Sequence, residues 1–144
     1  MKKRAFTLIE LMIVLAVIAI LAVVLVPRAG IFKSNAKNAG VVTNVNTVRA
    51  YLETKTGANF LETEGDLEKA LENAFPTSAT GDNALTNPFD NSVGYNSTDN
   101  SGAIHVGTGN PSNGDVVVIH GSNGYTVYGI DNSGTKVNEV TITR

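Results

Sequence analysis

The sequence predicts an α+β fold, in which a long N-terminal α-helix packs on a small antiparallel β-sheet and leaves half of its length projecting. Three patterns lead to this class. An unbroken apolar run lies near the N-terminus, an apolar stripe at helical spacing follows it, and short strand-like segments separated by turn residues fill the C-terminal third. The 144 residues are enough for one modest domain, so we predict an apolar stalk with a small polar-surfaced domain.

The apolar run has the length and the flanking charges of a membrane-inserted segment. Leu11–Val26 is sixteen apolar residues without a break. As a helix, residues 6–26 would reach about 30 Å, which is the thickness of the hydrocarbon core of a bilayer. Basic residues at positions 2–4 precede the segment, as expected when the N-terminus stays in the cytoplasm.

Three interpretations of this segment compete. An ordinary secretory signal peptide would have a shorter apolar core and a small-x-small cleavage site, which residues 27–30 do not offer. A plain membrane anchor explains the length but not Glu10, because a carboxylate in hydrocarbon is costly unless it has a partner. The third interpretation gives Glu10 such a partner, either a basic residue at positions 2–4 or a group on another chain.

Residues 5–10 read Ala-Phe-Thr-Leu-Ile-Glu and follow a short basic leader. This arrangement resembles the prepilin peptidase site of type IV pilins and pseudopilins, and the resemblance covers residues 2–27. It implies cleavage between Ala5 and Phe6 and N-methylation of the new Phe6 amine, both by a prepilin peptidase/N-methyltransferase. The family usually has glycine before the cut, where this chain has Ala5.

The same resemblance implies how the chain would assemble. Glu10 would pair with the Phe6 ammonium of a neighbouring subunit, so that two charges that are each costly in a membrane neutralise one another. Pro27 falls where the long helix of the family carries a kinking proline, and proline removes one helical hydrogen bond. Phe6, Glu10 and Pro27 are therefore the expected assembly residues.

The function implied by the resemblance is a structural subunit of an extracellular type IV pilus, a helical homopolymer built by a pilus assembly platform. The precursor would lie in the bacterial cytoplasmic (inner) membrane and the filament at the cell surface. A major pseudopilin of a type II secretion or competence system is the alternative, because it shares the helix. A membrane-anchored enzyme or binding protein that uses the segment only as a tether is the third class.

Three regions are predicted: a leader over 1–5, a transmembrane and polymerisation half-helix over 6–30, and a soluble domain over 31–144. The helix is expected to continue to residue 56, because four apolar residues follow a 4-3-4 spacing and form one stripe. A helix over 6–56 would be about 76 Å long, which the rest of the chain cannot bury. The stripe, which should face the sheet, is Val41, Val45, Val48 and Leu52.

The remainder of the soluble domain is predicted to contain a short helix over 66–75, a loop over 77–103 and an antiparallel sheet over 103–143. Pro76 ends the short helix. Asn113-Gly114 and Asn123-Gly124 are strong turn signals between strands. The strand candidates are 103–106, 115–120, 124–130 and 136–143.

No catalytic residue, cofactor or metal site is predicted. The net charge of −2, from 11 basic and 13 acidic side chains, argues against nucleic acid as the main partner. His105 and His120 have no neighbouring Cys or His at ligand spacing, and no nucleophile or phosphate-binding motif is present. Five loop residues are interpreted as turn residues, with calcium binding as the alternative: Asp82, Asp90, Asn91, Asp99 and Asn100.

Overall fold

Helix α1 begins at Leu8 and ends at Glu53 in the computed structural model, which describes residues 3–144. The chain forms two compact units, divided between Asn35 and Ala36. A long N-terminal helix followed by short strands confirms the α+β class. Of the predicted leader over 1–5, residues 1–2 lie outside the described residues, whereas residues 3–5 are exposed and not helical.

The C-terminal end of α1 lies three residues before the predicted end at residue 56. The last turn tightens, because the N–H groups of Thr54 and Lys55 donate to carbonyls three residues earlier, Tyr51 and Leu52. The Thr54 hydroxyl also donates to the Tyr51 carbonyl, at 2.6 Å. Carbonyls that a longer helix would have bonded are thus satisfied locally, and the chain leaves the helix.

The predicted apolar stripe of α1 is confirmed as the core-facing side of the second unit. Val41, Val45, Val48 and Leu52 are all completely buried. Gly129 of the sheet allows this approach, since a Cβ at that position would collide with Val41 and meet Val45 at 3.0 Å. Packing, rather than propensity, therefore stabilises a helical segment rich in valine, threonine and asparagine.

Helix α2 spans Glu64–Ala74 and starts two residues earlier than predicted. The cause is Thr63, whose hydroxyl oxygen accepts the N–H of Asp66 at 3.1 Å and caps the helix. Leu67 and Leu71 are fully buried against the core.

A two-stranded sheet lies inside the segment predicted to be loop 77–103, and a four-stranded sheet follows it. The small sheet pairs β1 with β2 in antiparallel fashion, and the larger one has the order β3-β4-β5-β6. The predicted strands are all present in this larger sheet. The strands are β1 (Tyr95–Asn96), β2 (Ser101–Gly102), β3 (Ile104–Val106), β4 (Val116–Gly121), β5 (Gly124–Ile130) and β6 (Lys136–Thr143).

One pair of strands differs from the predicted antiparallel arrangement. β3 and β4 run parallel, with Ile104 opposite Val116, so the larger sheet is mixed. Asn113-Gly114 does not close a hairpin between β3 and β4, because it lies at the opposite end of the sheet from the last residue of β3. There the Gly114 N–H donates to the Ile130 carbonyl at 2.8 Å. The chain between β3 and β4 therefore crosses back to the starting end of β3 before β4 begins.

Candidate processing and assembly segment

The first unit presents apolar side chains to its surroundings along its length. Large apolar side chains between Phe6 and Phe32 keep 50–84% of their surface exposed. Within residues 3–144, α1 is the one helix that is long and apolar enough to cross a membrane, with a mean hydropathy of 3.2 over its best 18-residue window. Contiguous apolar exposure of this extent marks a surface made for lipid or for other protein.

The predicted cleavage position lies just outside the helix. Ala5 and Phe6 are exposed and have no regular secondary structure, and α1 begins two residues after Phe6. The peptide bond between them is thus part of an open segment and not of the helical hydrogen-bond ladder. Phe6 is 84% exposed among the described residues, so the residue that would form the new N-terminus is largely open to its surroundings.

Thr7 and Glu10 form a reciprocal cap at the start of α1. The Thr7 N–H donates to Glu10 Oε2 at 2.8 Å, and the Glu10 N–H donates to Thr7 Oγ1 at 3.4 Å. This is the capping-box arrangement, in which a threonine and a glutamate three residues later satisfy two helix-terminal N–H groups. Sequence reasoning considered only charge partners for Glu10 and missed this one, although the Thr-x-x-Glu pattern carries it.

The cap leaves part of the Glu10 carboxylate free. Only Oε2 accepts a hydrogen bond among residues 3–144, so Oε1 remains open to a donor. No basic side chain described by the structure lies within ion-pair distance of Glu10, and this includes Arg4. An intrachain ion pair with residues 3–4 is therefore not formed, while position 2 lies outside the described residues.

Pro27 lies within α1, whose helical assignment is unbroken from Leu8 to Glu53. Its side chain lies outside what the structure describes, so the predicted kink stays a prediction. The neighbouring residue Arg28 is exposed and marks the end of the uncharged run that starts at Leu11.

The five residues considered for calcium binding lie in or beside turns, where several of their side chains make hydrogen bonds. Asp90 and Asp99 each accept a hydrogen bond from the serine two residues later, at 2.8 and 2.6 Å. The Asn100 side chain binds both the N–H and the carbonyl of Val106, at 2.8 Å each. Asn91 and Asn100 have positive φ values of 64° and 51°, which favour asparagine, and Asp82 lies in a single 3-10 turn. All five residues therefore lie in or beside turns.

The two histidines lie apart and serve packing. His120 Nε2 donates to the Leu61 carbonyl at 2.7 Å, which fixes its tautomer because a carbonyl only accepts. His105 Nε2 is buried below Gly109 and has no hydrogen-bond partner within residues 3–144. In the same range, no three His, Asp or Glu side chains converge at metal-binding distance.

A buried polar pair, Asn87 and Asp115, was not predicted. The Asn87 amide donates to Asp115 Oδ1 at 2.9 Å and to the Asn113 carbonyl at 3.0 Å. Burial raises the pKa of Asp115, and the N–H of Ser112 and the Asn87 amide oppose that rise. The pair fastens the loop after α2 to the start of β4 and is structural.

Residues 1–26 match the family model of the prokaryotic N-terminal methylation motif. No curated protein and no solved structure matches the chain. The matched motif is the signal of type IV pilins and pseudopilins, which confirms the resemblance of the N-terminal segment. The match covers this N-terminal segment alone. The motif is typical of type IV pilin-like and pseudopilin precursors, and it indicates a structural subunit that is inserted in the inner membrane and processed by prepilin peptidase.

Proposed function

We propose that this chain is the structural subunit of an extracellular type IV pilus and polymerises through the first part of α1. One observation supports the proposal above all. An exposed apolar helix carries a single carboxylate near its start, and that carboxylate keeps one oxygen free. Such a helix needs lipid before assembly and other subunits afterwards.

The apolar surface accounts for two successive environments. In the bilayer, lipid tails cover the side chains between Phe6 and Val26 at little cost. When the subunit leaves the membrane, the same surface must be covered again, because apolar area exposed to water costs about 25 cal/mol per Å². Neighbouring copies of the same helix offer a surface of the same chemistry, so a helical homopolymer is the natural second environment.

Glu10 sets the register of this polymer in our proposal. Cleavage after Ala5 creates an ammonium group at Phe6, and the capping box fixes the Glu10 carboxylate with Oε1 free. The ammonium of one subunit binds that oxygen in the next. A buried ion pair contributes little net stability against an apolar contact, but it disfavours every register in which either charge is unpaired.

The processing enzyme, the assembly machinery and the cellular location in our proposal follow from the role of the chain as a pilus subunit. A prepilin peptidase/N-methyltransferase cleaves and methylates the chain, and a pilus assembly platform extracts it from the inner membrane to the cell surface. The regions taking part are the leader 1–5, the polymerisation half-helix 6–30, with Pro27 as a bend near its end, and the soluble domain 31–144 on the filament surface.

Deletion of the gene tests the choice between pilus and pseudopilus. We expect long surface filaments, labelled by an antibody against residues 36–144, to be present in the wild type and lost in the deletion strain, because the chain would be their main subunit. Complementation with the wild-type gene is the control. A deletion that leaves surface filaments intact and blocks only exoprotein secretion or DNA uptake would contradict the pilus and support a pseudopilin. A deletion without any of these effects would favour a tethered protein.

A further inference from the structure

The chain contains two Asn-Gly dipeptides, Asn113-Gly114 and Asn123-Gly124. Asparagine is thermolabile, because the main-chain nitrogen of the following residue can attack its side-chain amide. Glycine in the following position favours the attack, since it has no Cβ and reaches conformations that other residues avoid. The structure places the two dipeptides in different surroundings.

At Asn113-Gly114, hydrogen bonds hold both the side-chain nitrogen that would leave and the main-chain nitrogen that would attack. The side-chain nitrogen of Asn113, which would leave, donates to the Asn132 carbonyl at 2.9 Å. The main-chain nitrogen of Gly114, which would attack, donates to the Ile130 carbonyl at 2.8 Å. The Asn113 carbonyl accepts from the Asn87 amide at 3.0 Å. Reaction there requires these bonds to open together.

Asn123 lies at the exposed tip of the β4–β5 hairpin, between the paired residues Gly121 and Gly124. Asn123 is exposed, so its side-chain amide is accessible to water. Its main-chain oxygen accepts the N–H of Arg144 at 2.9 Å, so the tip also holds the end of β6. Gly124 is buried and pairs with Gly121 of β4 and Thr143 of β6, so attack by its nitrogen also requires local opening. The end of a hairpin, however, opens more easily than the packed crossover around Asn113.

We propose that Asn123 is the principal site of spontaneous deamidation in the folded chain. The Gly124 nitrogen bonds to the Asn123 side-chain carbonyl carbon, the bond from that carbon to Nδ2 breaks, and ammonia leaves with the proton of the Gly124 N–H. Water then opens the resulting five-membered imide at either carbonyl. One opening gives aspartate and the other gives isoaspartate, in which the backbone runs through the side chain.

The product changes the hairpin in charge and in length. Either opening adds one carboxylate at the tip, and isoaspartate also adds one carbon to a backbone turn of only two residues. The pairing of Gly121 with Gly124 and the bond from Arg144 both depend on that turn. Deamidation at Asn123 is therefore expected to loosen the end of β6, and it would accumulate with the age of the molecule.

The test compares the two dipeptides in one molecule, folded and unfolded. The full chain in detergent is aged in a mildly alkaline buffer, with and without concentrated urea, and peptides are quantified by mass spectrometry. In the folded chain we expect Asn123 to convert at least about tenfold faster than Asn113, because held groups react only after local opening. In urea the two rates should converge to within about twofold, since both are Asn-Gly in an unfolded chain.

Asn123→Gln and Asn113→Gln are the matched controls. Asn123→Gln should abolish the main folded-state product and leave the rate at Asn113 unchanged, whereas Asn113→Gln should have little effect on the aged folded chain. Equal rates at the two sites in the folded chain, a faster rate at Asn113, or reaction in urea with none at Asn123 in the folded chain would each overturn the proposal.

Discussion

Glu10→Ala is expected to insert in the membrane at least as well as the wild type and to assemble at least about tenfold less, because the neighbour's ammonium would be buried without a counter-charge. Glu10→Gln is the more informative variant. Glutamine keeps the capping-box acceptor for the Thr7 N–H but removes the charge. If the ion pair sets assembly, Glu10→Gln should also assemble poorly. The amounts of chain in sheared filaments and in the membrane fraction give the measurement.

Thr7→Ser is the control for this pair of variants, since serine keeps the hydroxyl that accepts the Glu10 N–H. It should insert and assemble like the wild type. Normal filaments from Glu10→Gln, together with poor filaments from Glu10→Ala, would show that Glu10 only caps the helix. Normal filaments from both variants would remove Glu10 from assembly altogether.

Val45→Asp is expected to lower the free energy of unfolding of the second unit by about 3–5 kcal/mol, because it buries an unpaired charge. Val45 is completely buried among sheet side chains such as Val127. Thr47→Asp is the matched control on the same helix, since Thr47 is exposed. Thermal unfolding of the soluble domain 31–144 measures both, and the control should change the stability by less than about 0.5 kcal/mol. An unchanged melting temperature for Val45→Asp would contradict the observed facing of α1.

The elements that the sequence predicted well are those with a strong local period. The stripe from Val41 to Leu52 repeats at helical spacing, and every member is buried. The strands of the larger sheet alternate or run apolar between turn residues, and all four are present. Local periodicity indicates which side of a helix or strand is buried. This prediction can therefore be made without knowing which other element packs against that side.

The sequence-based predictions were wrong where a contact between residues far apart in the chain, or a hydrogen bond to a hydroxyl group, determines the local structure. Asn113-Gly114 has the composition of a hairpin turn, but its contacts with Ile130 and Asn132 at the other end of the sheet make β3 and β4 parallel. Similarly, Asn87 and Asp115 are 28 residues apart, and nothing in either local segment indicates that they meet. Pairings at such separation depend on the whole topology and leave no local signal.

The N-terminal motif was predictable for the opposite reason. Its signal is a short run of consecutive residues, and residues 1–26 match the methylation motif without help from the fold. The capping box between Thr7 and Glu10 was equally local, because the Thr-x-x-Glu spacing carries it, but an interpretation of Glu10 by charge alone does not predict it. The structure thus gives Glu10 a second role beside the proposed one.

Intact mass of the chain purified from its membrane or filament fraction shows whether the leader is removed. We expect a chain that begins at Phe6, lacks residues 1–5 and carries one additional methyl group. The same chain from a strain without prepilin peptidase should keep residues 1–5 and carry no methyl group. A chain that retains its leader in the peptidase-competent strain would contradict processing at Ala5, and with it the polymer built on a free Phe6 amine.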